Sequence, residues 1–463
     1  MKTIKNIAFF AAVLLSITAC EKILEFEPEG SSLEEADALA TDDDVLKFLN
    51  GVYDVTANFL GGRAQGLADV MGDDVRAPQG NNDLMEVYNH HTTFFNTSTN
   101  GFYGNPYFGI FRANRIIEIL DDYSFSASEQ LRIDGECKFL RALSHQKIME
   151  LYAQPPGFTA DNSHLGIVYK TNPVSGLDGR GTLAENLSLL LSDINDAIAQ
   201  LPEENGVYAT KDAARALKAK VLFQMGDYQN AADVVTTIIN TAKYSLGNDL
   251  DRFLSGANSS EAIWSVISFV DGPLIDARSG VFTGNYRFFN NSIPLFRATT
   301  EFYNIYVADT ADKRIIQFFE VQGIAPDEEV ICKKFDKDYF NVPVFHLTDM
   351  KLLRAEALAE AGGDLSMAIQ DVNDIKERAY GHSSNNLAAG ASASEIISAA
   401  RYERRIEMFG EGDRITQLKR WGAIEKENVF VRTDPWNCNG MILQFPISEK
   451  STVFEMNPSG GCN

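Results

Sequence analysis

Two stretches of this chain carry the side chains best suited to chemistry. Residues 67–96 hold Asp69, Asp73, Asp74, Arg76, Asn81, Asn82, Tyr88 and His90 among Gly72, Pro78 and Gly80. A run so broken by glycine and proline reads as a loop. Its mixture of charged and amide groups with one flat ring is what a sugar's hydroxyls and C–H faces require, although a solvated loop has the same composition. Asp74, Arg76, Asn81, Asn82 and Tyr88 are the binding candidates here. The second stretch, 280–291, contains Phe282, Tyr286, Phe288 and Phe289. Aromatics in a Gly/Asn-rich segment are harder to assign to a core than aromatics on a helix, so Tyr286 and Phe289 join the candidates.

Catalytic signatures are missing. The sequence has no GxxxxGK[ST] loop, no strand-placed GxGxxG, no HExxH and no GxSxG elbow. Hydrolysis of a glycosidic bond needs two carboxylates about 5 to 10 Å apart, and no pair in the sequence declares itself as one. Asp42, Asp43 and Asp44 precede an apolar pattern and suit a helix N-terminus. Glu403 and Glu407 lie one helical turn apart beside Arg404 and Arg405, a local ion-pair lattice. His90 and His91 are adjacent and would diverge on a regular element, and no CxxC or Cys/His cluster offers a zinc site. No catalytic residue, no metal and no cofactor is expected. A formal charge of -23 over 463 residues argues against a nucleic-acid partner.

Cys20 closes an apolar run. Lys2 and Lys5, the stretch from Ile7 to Ile17, and Thr18-Ala19 before the thiol form the pattern of a lipoprotein export signal. Cleavage before Cys20 would leave residues 1–19 as signal and a lipid on Cys20, holding the chain at a membrane. The apolar run is shorter than the roughly 20 residues that a spanning helix needs. Cys137 reads as a small core residue. Cys438 and Cys462 sit in a loop-rich tail, where an oxidising compartment would let them pair.

Helices position most of these groups. Ala214, Leu217, Val221 and Met225 share one face, Gly226-Asp227-Tyr228 breaks the helix, and Ala231, Val235 and Ile238 begin the next. Lys218, Ala219, Leu222, Gly226, Asp227, Ala231, Val235 and Ile238 recur in order as Arg354, Ala355, Leu358, Gly362, Asp364, Ala368, Val372 and Ile375, with one inserted glycine. Such internal similarity resembles tetratricopeptide pairs, which bury their faces by stacking. Further helices are expected from Phe108 to Asp121, from Ser128 to Tyr152, and along Leu183, Leu187, Leu190, Ile194 and Ile198. Between about 248 and 343 the pattern becomes irregular, with a strand at Ala262 to Ile267. The expected fold class is mainly α, tetratricopeptide-like pairs forming a scaffold with a loop-rich face and minor β. It divides into an N-terminal helical region, 20–247, and a C-terminal region, 248–463.

The run RYERRIEMFGEGDRITQLKRWG at 401–422, with RANRIIEIL, FLRALSHQKIMELYAQPP and ILQFPISEKSTVFEMNP, resembles the SusD/RagB family of outer-membrane nutrient-binding lipoproteins. Glu403, Arg404, Arg405, Glu407, Phe409, Gly412, Arg414, Leu418, Arg420, Trp421 and Gly422 fall where that family has similar residues. The resemblance implies a binding protein and not an enzyme. It also implies a partner, a TonB-dependent (SusC-like) outer-membrane transporter, and a lipid-anchored place at the outer membrane facing the cell exterior. The expected ligand is an oligosaccharide, with peptide as the alternative and a surface glycoside hydrolase as the more distant one. Trp264 and Trp421 fall on structural elements, leaving Trp436, so tyrosine or phenylalanine is expected to supply the stacking surface.

Overall fold

The computed structural model describes residues 39–462 apart from 175, 177, 248, 272–273, 288–292 and 325–326. Two compact units are distinguished, Met1–Leu46 and Lys47–Asn463. Of the first, only 39–46 are described, and there helix α1 (Asp42–Leu60) begins with its three aspartates in the first turn, where they suit the helix dipole.

The chain is mostly helical. After α1 come α2 (Arg63–Met71), α3 (Asn82–Tyr88), α4 (Thr97–Ile119), α5 (Ala127–Tyr152), α6 (Leu183–Gln200), α7 (Lys211–Gln224) and α8 (Tyr228–Asn240). Ser126 with Glu129 and Thr182 with Glu185 form capping boxes that start α5 and α6. Helices α4, α5 and α6 pack in sequence, and α7 and α8 form the hairpin expected from the glycine break.

Strand β1 (Ala262–Val266) opens the irregular region, followed by β2 (Phe269–Asp271), β3 (Leu274–Asp276) and short helices α9 (Gly280–Tyr286), α10 (Thr300–Tyr306) and α11 (Lys313–Phe318). Then come β4 (Phe319–Gln322), β5 (Glu329–Cys332) and β6 (Val342–His346). The antiparallel pairs are β1 with β6, β2 with β3, and β4 with β5. The helical pattern resumes with α12 (Leu347–Ala361), α13 (Leu365–Tyr380), α14 (Ala393–Glu407) and α15 (Arg414–Ala423), and β7 (Phe430–Val431) pairs with β8 (Asp434–Pro435) in the tail.

The two repeats agree in detail. Gly226 and Gly362 both take positive φ, 77° and 67°, which a side chain would strain. Ala219, Leu222, Ala231, Val235 and Ile238 are buried, as are Ala355, Leu358, Ala368, Val372 and Ile375. The hairpins meet through α8 and α12. Arg354 pairs with Asp371 in its own hairpin and donates to Thr236 Oγ1 of the other at 3.2 Å.

Three local expectations change. The 67–96 stretch contains two helices, because Leu67, Val70 and Met71, and then Leu84 and Val87, bury at helical spacing. Part of 280–291 is likewise helix α9, with Phe282 and Tyr286 one turn apart on a buried face. The four charged residues 403–407 do not pair among themselves. Glu403 meets Arg314 at 2.6 Å, Glu407 meets Arg252 at 3.0 Å, Arg404 meets Asp349 and Asp413, and Arg405 meets Asp74. Their turn of helix is buried, so each charge needs a partner from another element.

Candidate functional site

The binding candidates read from the sequence serve several different tasks. Asp74 is 5% exposed and accepts a forked bond from the Arg405 guanidinium. Arg76 donates to Glu329 at 2.7 Å and to the Glu328 carbonyl at 2.9 Å while its side chain stays 39% exposed. Asn81 caps α3 by accepting from the Leu84 N–H at 3.0 Å, and Asn82 opens that helix at the surface. Tyr88 is covered on one face by Arg432, whose guanidinium carbon lies 4.0 Å from the ring centroid. Tyr286 is 1% exposed, and its hydroxyl donates to Asp69 at 2.7 Å. Phe289 and Cys20 lie outside the described residues.

Asp69 also accepts from the Gly412 N–H at 2.9 Å, yet burial pushes its pKa up to about 7. Asp69, Tyr286 and Gly412 therefore form an interior clamp between α2, α9 and the 401–422 motif. His90 has both ring nitrogens engaged, Nδ1 with Asp434 at 2.7 Å and Nε2 with the Met71 carbonyl at 2.9 Å. Cys438 and Cys462 are joined as a disulfide, so the nearby Cys462 sulfur is no thiolate ligand. Buried Glu356 and the half-buried Glu360 and Glu425 are answered by Arg401 and, for Glu356 and Glu425, by Arg420.

A wide cleft opens elsewhere. About 510 Å³ lies between α4, the segment 168–178 and the tail around 446–454. Tyr103, Tyr107 and Phe111 follow one another at four-residue spacing on α4, and Phe454 joins them from the tail. Tyr103 and Phe454 are buried while Phe111 is 41% exposed, so the ring surface slopes from interior to opening. The Tyr107 hydroxyl donates to the Val168 carbonyl at 2.8 Å. Burial raises the pKa of both tyrosines, which keeps them neutral.

Polar groups surround that surface. Asn100, Lys170, Asn172, Asp178, Ser448 and Glu449 line the cleft, and Lys170 pairs with Asp178. Asn100 Nδ2 donates to the Phe94 carbonyl at 3.2 Å, and its buried Oδ1 has no hydrogen-bond partner among the described residues. Partial burial raises the Glu449 carboxyl above its usual range, with Lys170 opposing.

The scaffold fixes both walls. Asn114, from the RANRIIEIL motif, donates to the carbonyls of Lys170 and Asn172 at 3.2 and 3.1 Å and accepts from Arg141 at 2.6 Å. Arg141 in turn forks onto Asp193 of α6, and His145 Nε2 accepts from the Lys170 N–H at 3.0 Å. On the other wall, Asn457 donates to the carbonyls of Tyr152 and Leu443 at 2.9 and 2.7 Å, and the Ile447 N–H reaches the Phe94 carbonyl at 3.2 Å. The Cys438–Cys462 disulfide brackets this wall across 24 residues.

A family model described as the SusD family matches residues 297–448, and one described as starch-binding associating with outer membrane matches 23–223. A SusD-like protein of Formosa agariphila is 25% identical over 488 aligned residues, covering 91% of this chain and 90% of that protein. A SusD superfamily protein of Bacteroides thetaiotaomicron superimposes with a TM-score of 0.78 at 22% identity, covering 90% of this chain and 100% of the other. A protein described as a laminarin-binding SusD-like protein gives a TM-score of 0.70 at 20% identity over 91% of this chain and 100% of its own.

Proposed function

Because the chain belongs to the SusD/RagB family, we propose that it captures an oligosaccharide in the cleft beside α4 and passes it to a TonB-dependent outer-membrane transporter. The cleft itself carries the reading: a 510 Å³ opening whose rings suit the C–H faces of pyranoses and whose amides, hydroxyls and charges suit their hydroxyls. The starch-binding family description and the laminarin-binding neighbour support a glycan ligand, and the former supports outer-membrane association. The protein is a binding protein and not an enzyme. Lipidation at Cys20 would keep it at the membrane, with the transporter as the consumer of what it holds.

A peptide ligand has one observation in its favour. Lys170, Asp178 and Glu449 put charges of both signs at the cleft, where peptide termini would find partners. Calorimetric titration of the purified protein with laminarin, starch and xylan oligosaccharides, and separately with a tryptic peptide mixture, distinguishes the two. Saturable binding of one glycan series, recovered chemically intact, is the expected result. Binding confined to peptides would move the ligand class, and release of shortened sugars would make the protein a hydrolase.

A further inference from the structure

The cleft beside α4 carries more negative than positive charge. Among the described residues that line it, Lys170 is the only basic side chain, set against the carboxylates of Asp178 and Glu449. Lys170 is already committed, since its ammonium pairs with Asp178 and donates to the Val174 carbonyl at 3.3 Å. Arg180, whose charge also reaches Tyr107, does not line the cleft. Its guanidinium donates to the carbonyls of Gly166, Glu455 and Leu165 at 2.7, 3.0 and 3.3 Å.

Glu449 has no such partner. Its side chain is half-buried, yet no hydrogen bond or ion pair reaches the carboxylate among the described residues, and both oxygens stay accessible. The backbone holds the residue in place: the Glu449 N–H donates to the Pro446 carbonyl at 3.0 Å, and the Ile447 N–H to the Phe94 carbonyl at 3.2 Å. Its charge adds to burial in raising the pKa of both Tyr103 and Tyr107, so the carboxylate stands beside the ring surface.

An ionised carboxylate only accepts hydrogen bonds, and its two oxygens can take several donors. Adjacent hydroxyls of a sugar bring donors in pairs, and bonds to a charged acceptor are the stronger kind. A uronate or sulfate brings no donor there and adds a like charge in a partly desolvated place, which is costly. An ammonium would have to share the site with Lys170, whose charge already offsets that of Glu449. Extending the proposed capture of a glycan in this cleft, and resting on it, we infer that Glu449 sets the charge class of the ligand: its carboxylate accepts from the hydroxyls of a neutral sugar seated on Tyr107 and Phe111 and turns away uronic acids and sulfated sugars.

Calorimetric titration at about pH 8, where the carboxylates are ionised, tests it with laminarihexaose, maltohexaose, cellohexaose and mannohexaose, each beside its C6-oxidised uronate form. At least one neutral hexaose should bind, and its oxidised form should bind at least about tenfold more weakly. Raising NaCl from about 50 to about 500 mM should narrow that gap, whether or not a variant folds. Glu449→Gln should bring the two forms to within about threefold of each other, with neutral affinity lowered about fivefold as a charged acceptor becomes a neutral one. Glu301→Gln removes the same charge from an exposed position on α10 that does not line the cleft, and should leave the gap as it is. Equal or tighter binding of the oxidised form, or a gap that neither salt nor a folded Glu449→Gln narrows, would overturn the assignment and leave glycan capture standing. Failure of every hexaose to bind in either form would instead remove glycan capture, and this assignment with it.

Discussion

Buried between Tyr286 and Gly412, the Asp69 carboxyl titrates near 7 and not near its ordinary 3.8, because burial disfavours its charged form. The folded state thus holds this proton more tightly than the unfolded chain. The resulting stabilisation is complete below about pH 4 and is lost as pH rises through about 7. Asp69→Asn cannot titrate, so the melting-temperature advantage of wild type over that variant should shrink between about pH 5 and pH 8; an advantage independent of pH would remove Asp69 as the cause. Lys419 is the opposite case: burial lowers its pKa from 10.5 to about 7, Glu150 opposing, and its Nζ has no hydrogen-bond partner among the described residues. Replacing it by methionine should stabilise the fold by about 1 to 3 kcal/mol. The gain should grow as pH falls from about 10 to about 7, because over that range the unfolded lysine takes up its proton while the folded one stays neutral. Denaturant titration at both pH values measures it, and a destabilised variant would contradict it. These residues also show why binding side chains were only partly legible. Asp74 and Tyr286 look like ligand contacts by type and neighbourhood, but their partners Arg405 and Asp69 lie 331 and 217 residues away. Local composition carries no record of a partner so distant.

Helix α4 shows the same limit at the next scale. Its sequence pattern marks a helix from Phe108, yet it begins at Thr97 and runs through Pro106. Gly101, Gly104 and Pro106 each oppose helix locally. Burial of Phe102, Tyr103 and Ile110, with Asn96 capping the Thr99 N–H at 3.0 Å, outweighs them. The missed turns are those that carry Tyr103 and Tyr107, so the ring surface of the cleft was hidden by its own helix breakers. Long amphipathic pairs were legible throughout, because α7, α8, α12 and α13 keep strict spacing, Gly226, Gly362 and Gly381 follow the ends of α7, α12 and α13, and Asp364 caps the start of α13. The tail wall depends on a covalent tie. Replacing both Cys438 and Cys462 by serine should cost about 3 kcal/mol, as expected for closing a loop of this length. Because Ser448, Glu449 and Phe454 lie inside that loop, glycan affinity should fall with the melting temperature. Unchanged affinity would show that the rest of the fold holds the wall.

At the scale of the whole molecule, the helices of the described residues support one large opening, and the proposed anchor at Cys20 lies outside them. Among the described residues no helix is long and apolar enough to cross a membrane. If the proposed lipidation of Cys20 holds the protein, Cys20→Ala should shift it from the membrane fraction of its host to the soluble fraction, and normal retention would place the anchor elsewhere. The central claim is that ligand is held beside α4 and not in the stretch around Tyr88. Calorimetric titration of Phe111→Ala and Tyr88→Ala with the oligosaccharide that binds wild type most tightly tests it directly. Loss of the exposed Phe111 ring should cost about 1 to 3 kcal/mol of binding with the melt unchanged, and Tyr88→Ala should bind as wild type does. Full affinity in Phe111→Ala together with lost affinity in Tyr88→Ala would contradict the account.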